Sequence, residues 1–238
     1  MSKIVLHISP TTRVLTLRSV PFAYPSTNSG PNPFKVAIVL EKLNLSYDVI
    51  PLDFGDNADN GVKGEKFLKL NPNGRVPALV DHKNGDFVVW ESGAAMFYLA
   101  DQYDKEGQLL GKDTKERAIV MQWLTHQLSG QGPTQGNVNY AHRYWEATYG
   151  EKPQKSVFTR FEGETHRLYK ILDDQLAKSK YVAFNDRPTI ADYAFAPWVL
   201  VAYVGNIDLT PYKNVTRWID EIKADKQVSA ADAKLPKQ

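Results

Sequence analysis

The 238-residue chain predicts an α/β domain followed by an all-helical one. Three observations carry this. Strand-like runs are confined to the first 104 residues, and beyond them only helical spacing recurs. Between the two regions, residues 105–113 form a short polar linker.

In the first domain, residues 20–25 are apolar and aromatic and read as a strand, with a polar loop after them. Asn32 is a favoured helix N-cap and Pro33 suits the first helical position. Val36, Val39, Leu40 and Leu43 then recur at helical spacing. Residues 47–52 return as a strand, and so short a helical connection requires parallel pairing with a right-handed crossover. Residues 55–64 read as a loop, and Phe67, Leu68 and Leu70 as a short helix or turn. Runs at 76–80 and 87–90 join across Asn84-Gly85, a strong hairpin signal. A helix over 92–103 places Met96, Leu99, Ala100 and Tyr103 on one face. The order β-α-β, connection, β-β-α over residues 20–104 is that of a thioredoxin-like domain, and order alone does not specify function. Residues 1–19 read as an N-terminal extension without an assigned structure.

The all-helical domain covers residues 114–225, with helical patterns at 114–128, 158–176, 189–204 and 212–224. Phe161, Thr165, Leu168, Leu172 and Leu176 form a core-facing stripe. Three glycines and Pro133 within 129–136 predict a kink or break in the first of these helices. Thr189 and Asp192 have the spacing of a capping box, a structural role. Residues 226–238 read as a polar, frayed tail.

Composition narrows the function. Lys+Arg 29 against Asp+Glu 27 argues against a nucleic-acid partner. With no cysteine, disulfides, thiolate metal sites and a cysteine nucleophile are excluded. The histidines lack metal-ligand spacing, so no metal is expected. The longest apolar stretch, 194–205, is about 12 residues, which suits a buried helix rather than a membrane span. Ile4, Val5 and Leu6 are too short a run for a signal-peptide core, so the expected location is cytoplasmic.

Three segments at their mutual spacing are specific. They are Asn71-Pro72-Asn73-Gly74-Arg75-Val76-Pro77-Ala78-Leu79, Trp90-Glu91-Ser92-Gly93-Ala94 and Pro188-Thr189-Ile190-Ala191-Asp192-Tyr193-Ala194. Together they resemble the soluble glutathione transferases, from residue 20 to the end of the helical domain. Gly30-Pro31-Asn32-Pro33-Phe34-Lys35-Val36 is similar to the fungal nitrogen-regulator-type subclass and the bacterial nu class. The chain departs from them at Pro33, where glycine is usual, and at Gly30, where the bacterial class carries a threonine hydroxyl.

The resemblance implies a glutathione site. Val76-Pro77 would be cis, with the Val76 backbone pairing the cysteinyl part of glutathione like an added strand; the dipeptide by itself reads as an ordinary trans proline at a strand start, since only about 5–6% of such bonds are cis. Glu91 would take the γ-glutamyl ammonium. Ser92 would take the adjacent carboxylate at the start of a helix, although a serine there is otherwise simply a cap. Arg75 belongs to the same motif, and Lys63 or Lys66 would meet the glycyl carboxylate. The sulfur must become a thiolate to attack. Asn32 would stabilise it by donating its amide, with Ser26 as the alternative activator. Gln127, Tyr140, Tyr144 and Trp198 are candidates for a second-substrate wall between the domains. The implied protein is a homodimeric, detoxifying transferase that uses glutathione as a substrate against an electrophile, with disulfide reductase or peroxidase activity besides. The alternative is a non-catalytic regulator or ligand carrier on the same fold.

Overall fold

The structure, a computed structural model, describes residues 3–8, 30–53 and 60–236. They divide into two compact units. One holds the described residues up to Lys105 together with those from Asp225 onward, and the other is Glu106–Ala224.

The first unit is built on a four-stranded sheet in the order β2-β1-β3-β4. Strand β1 is Ile4–Ile8, β2 Tyr47–Pro51, β3 Ala78–Asp81 and β4 Phe87–Trp90. β1 is a correction to the expected extension over residues 1–19. It pairs in parallel with β2 and antiparallel with β3, which makes it a central strand. Ile4, Leu6 and Ile8 are completely buried, as the two-residue period of a strand requires. The strand expected at 20–25 lies outside the described residues, as does Ser26. The β3–β4 connection is longer than a two-residue turn: a 3₁₀ turn, His82–Asn84, precedes Gly85.

Helix α1 runs from Pro31 to Lys42. Its N-cap is Gly30, at φ 76°, so Asn32 is the second helical residue and not the cap. The reason is local: Pro31 has a fixed φ and no N–H to satisfy, which suits the first helical position. Gly30 then adopts a left-handed backbone at no steric cost. Every residue from Pro33 to Leu40 is buried, Lys35 among them. Helices α2, Glu65–Leu68, and α3, Ser92–Tyr103, complete the part of this unit that precedes the linker.

The second unit opens with α4, Thr114–His126, whose N-cap Asp113 accepts from the Lys115 and Glu116 N–H groups. Of the kink or break expected over residues 129–136, the helix shows an irregularity and no interruption. A π-helical turn, Gln127–Gln131, leads directly into α5, Gly132–Arg143. Such a wider turn absorbs the irregularity without ending the helix. After α6, Trp145–Tyr149, the 22-residue α7, Lys155–Leu176, buries Thr165, Leu168, Leu172 and Leu176. Helix α8, Ile190–Leu200, starts at a reciprocal cap. The Ala191 N–H donates to Thr189 Oγ1 at 3.3 Å, and the Thr189 N–H to Asp192 Oδ2 at 2.9 Å. A 3₁₀ turn, Ala202–Gly205, and α9, Lys213–Lys223, follow.

The chain then returns to the first unit. Residues expected to fray form α10, Lys226–Lys234, packed against α1. Val228, Ala231 and Leu235 share one face and are buried. Polar groups fix the contact: Lys42 pairs with Asp225, and the Gln227 amide donates to the Glu41 carbonyl at 2.8 Å. Lys234 pairs with Glu41 at 2.6 Å and lies 4.4 Å above the Tyr47 ring. Among the described residues, no helix is long and apolar enough to cross a membrane.

Candidate functional site

Strand register decides what meets at one edge of the sheet. Ala78 at the start of β3 pairs with Trp90 at the end of β4 and with His7 near the end of β1. Val76-Pro77 and Glu91-Ser92 flank those residues, so they emerge side by side. Helix α1 ends shortly before Tyr47, which pairs with Ile4 at the opposite edge. Twelve helical residues span about 18 Å, enough to carry the N-terminus of α1, with Asn32, back to the same edge.

The loop before β3 is held from within. Asn71 is only 2% exposed. Its amide donates to the Arg75 carbonyl at 2.5 Å, and its Oδ1 accepts the Asn73 N–H at 3.0 Å. Gly74 sits at φ 60°, where a Cβ would come within 2.9 Å of the Val62 carbonyl oxygen, so only glycine fits. The Val76–Pro77 peptide is cis. Arg75 is exposed and Val76 half-buried. Lys63, exposed beside this loop, donates to the Asn73 carbonyl at 3.2 Å, and Lys66 is exposed on α2.

Glu91 occupies the N-cap of α3 at φ 68°, ψ 121°. A non-glycine residue there is uncommon, and such backbones concentrate at functional sites. Its exposed side chain makes no capping bond to α3. Ser92 is the buried first residue of the helix, where N–H groups and the helix dipole favour an anion. One carboxylate and one anion-seeking helix start therefore lie on adjacent residues.

Lys35 is 1% exposed within α1. Burial pushes its ammonium down to about 7, and the Glu91 carboxylate pulls it back up. Neither Lys35 nor Asn71 stands out as functional in the sequence. The signals were present, a lysine inside an apolar helical run and an asparagine beginning a turn motif.

The second-substrate candidates fall into two groups within the second unit. Gln127 lies in a buried amide ladder. Its Nε2 donates to Gln131 Oε1 at 3.0 Å, Gln131 to Gln135 at 2.6 Å, and Gln135 to the Trp198 carbonyl at 2.7 Å. The Trp198 ring packs over Gly132 and Gly136. Tyr140 and Tyr144 belong instead to an aromatic cluster, their centroids 6.0 Å apart, with Trp145 and Tyr149. Among the described residues, no group of three His, Asp or Glu side chains has metal-binding geometry.

Two family models match the chain: the glutathione S-transferase N-terminal domain over residues 23–101 and its C-terminal domain over residues 138–226. The first match begins downstream of β1. Glutathione S-transferase 2 of Schizosaccharomyces pombe is 42% identical over 178 residues, 74% of each chain. The disulfide-bond oxidoreductase YfcG of Escherichia coli is 35% identical, covering 82% of this chain and 86% of its own. Among solved structures, the glutathione transferase URE2P6 of Phanerochaete chrysosporium, in complex with oxidized glutathione, superposes with a TM-score of 0.80. It is 32% identical, over 98% of this chain and 97% of its own. By fold, by motif and by these likenesses, the chain belongs to the glutathione S-transferase family.

Proposed function

We propose that the protein binds reduced glutathione at the sheet edge and delivers its thiolate to a small electrophile. The observation that carries this reading is the register Ala78↔Trp90, which sets the Val76 backbone beside Glu91 and Ser92. In this reading Val76 pairs the cysteinyl backbone, Glu91 takes the γ-glutamyl ammonium and Ser92 its carboxylate. Arg75 and Lys63 face the glycyl end, and Asn32 donates to the thiolate at the start of α1. Tyr140, Tyr144 and Trp198 are assigned to the second substrate; Gln127, expected beside them, is completely buried in the amide ladder and serves as scaffold. The complex of URE2P6 with oxidized glutathione supports the ligand class.

The likeness to a disulfide-bond oxidoreductase supports a second activity. With no cysteine in the chain, no protein thiol can carry a mixed disulfide. One glutathione thiolate attacks a small disulfide and releases a thiol. A second glutathione then attacks the mixed disulfide, giving glutathione disulfide and the second thiol. The same reading takes the protein to be a cytoplasmic homodimer with a detoxifying role, and sedimentation at a single 26.8 kDa mass would overturn the dimer.

Turnover of an aryl halide with glutathione, run beside glutathione-coupled reduction of a small disulfide, tests the reading. Conjugation is the expected result, and disulfide reduction supports the second activity. Glutathione binding with no turnover in either assay would replace the enzyme with the regulator or ligand carrier that the fungal subclass suggests.

A further inference from the structure

Helix α8 is buried at every residue but Trp198, its largest side chain, which is only half-buried. Burial alone would favour the reverse, because tryptophan brings the most apolar surface to a core. Two contacts set its place. The ring lies on α5, with Cε2 3.4 Å from where a Cβ on Gly132 would stand and Cη2 3.4 Å from one on Gly136, a turn further on. The carbonyl belongs to the last turn of α8, where carbonyls lack helical partners, and it accepts the Gln135 Nε2 at 2.7 Å. Gln135 cannot turn its amide around. Its Oε1 already accepts from Gln131 Nε2 at 2.6 Å and from the Tyr169 hydroxyl at 2.9 Å. A flipped amide would set N–H groups against two donors and oxygen against a carbonyl.

We infer that Gln135 is a positioning residue, which fixes the backbone of Trp198 so that its indole stands ready as a wall for the second substrate. The inference rests on the reading above, which assigns Trp198 to that substrate. The seat on α5 gives the ring room and no hold, because glycine offers no side chain to stop it sliding. The amide supplies the stop. Gln127, Gln131 and Gln135 are at most 1% exposed, and a buried polar network that is fully satisfied rigidifies its surroundings and specifies one arrangement. Gly132 belongs to the same device, since a Cβ there would come within 2.9 Å of Gln127 Nε2 and displace the first rung. Without the Gln135 amide, the end of α8 loses a partner and the indole loses its fixed place. The arriving substrate must then order it, and affinity falls by the cost of that ordering.

The test joins steady-state kinetics to fluorine NMR on the full chain. Gln135→Met keeps the length of the side chain and removes the amide. It should raise KM for an aryl halide, chlorodinitrobenzene, by roughly two- to tenfold, the net worth of one hydrogen bond. KM for glutathione should stay within about twofold, a split that general loss of structure would not produce. Fluorotryptophan gives each tryptophan its own signal, and that of Trp198 is the one lost in Trp198→Phe. In the parent this signal should shift with S-dinitrophenyl glutathione and stay in place with glutathione alone; in Gln135→Met it should be displaced before any ligand is added. Gly136→Val serves if the methionine variant does not fold. It leaves the ladder intact and crowds the ring with a stiff side chain, so the same split in KM is expected. The NMR comparison needs no turnover, so it decides the inference for a ligand carrier as well. A parent-like KM for the aryl halide, an equal rise in both KM values, or a Trp198 signal indifferent to the dinitrophenyl group would overturn the inference and leave the glutathione reading standing. A parent that binds neither glutathione nor its conjugate would overturn both.

Discussion

The side-chain amide of Asn71 donates to the carbonyl oxygen of Arg75 at 2.5 Å, closing the loop that delivers Val76 to the sheet edge. At 2% exposure, water has little access to replace that bond. Asn71→Ala leaves the Arg75 carbonyl and the Asn73 N–H without their partner, at a cost of about 1–3 kcal/mol. Glutathione affinity should fall with it, because Val76 is no longer held. Urea unfolding and calorimetry on the variant check both effects; parent-like values in both would count against the loop's role.

Asp192 shows how the second unit is held. Its carboxylate accepts from the Val182 N–H at 2.8 Å, the Thr189 N–H at 2.9 Å and the Trp218 indole at 2.9 Å. Asp192→Ala strands these buried donors, each worth about 1–3 kcal/mol, so a loss of at least about 3 kcal/mol is expected. Burial raises the carboxyl from 3.8 to about 6 even with these donors. Between those values the folded protein holds a proton that the unfolded chain releases. The stabilisation from this group is therefore complete below about 4 and is lost as pH rises through about 6. Denaturant melts from pH 4 to 7 should show this decline in the parent and not in Asp192→Asn; equal slopes would refute it.

The sequence revealed elements whose signals are local. Helices α1, α3, α7, α8 and α9, strand β2 and the β3–β4 pair all lie within or close to their expected ranges. Strand β1 was missed for a physical reason. Five residues, Ile4–Ile8, carry little pattern alone, and their partners lie far along the chain at Tyr47–Pro51 and Ala78–Asp81. Helix α10 was hidden by polar composition, because its three buried side chains acquire meaning only against α1. The glycines and Pro133 signal a kink or a break, and a π turn stands there, from which the helix continues into α5. At the site, the motif residues were legible from their types. Lys35 left only the trace of a lysine inside an apolar run, since burial of a charge is a property of packing.

Helix α10 should matter to stability. Removing residues 226–238 exposes the surface of α1 that Val228, Ala231 and Leu235 cover and severs the Lys234–Glu41 pair. Burying a Val or Leu side chain is worth about 1.5–3 kcal/mol, so the truncated chain should lose several kcal/mol in urea unfolding. A truncated protein with the parent midpoint would show that the helix contributes nothing.

Asn32 carries the proposed handling of sulfur. Gly30 is the helix cap, so Asn32→Ala does not cost a cap. One charge-assisted hydrogen bond to the thiolate is worth about 1.5–3 kcal/mol, and turnover should fall roughly ten- to a hundredfold, with a higher thiol pKa for bound glutathione. Affinity should change little, since Val76, Glu91 and Ser92 still hold the tripeptide. If Asn32→Ala turns over like the parent while Ser26→Ala does not, the serine is the activator.

The central claim is that Val76, Glu91 and Ser92, aligned by the Ala78↔Trp90 register, form a glutathione site. Titration calorimetry of the full chain with reduced glutathione tests it most directly. The account predicts saturable binding of one glutathione at these residues per chain, strongly weakened in Glu91→Ala. No detectable binding by the parent at millimolar glutathione would contradict it.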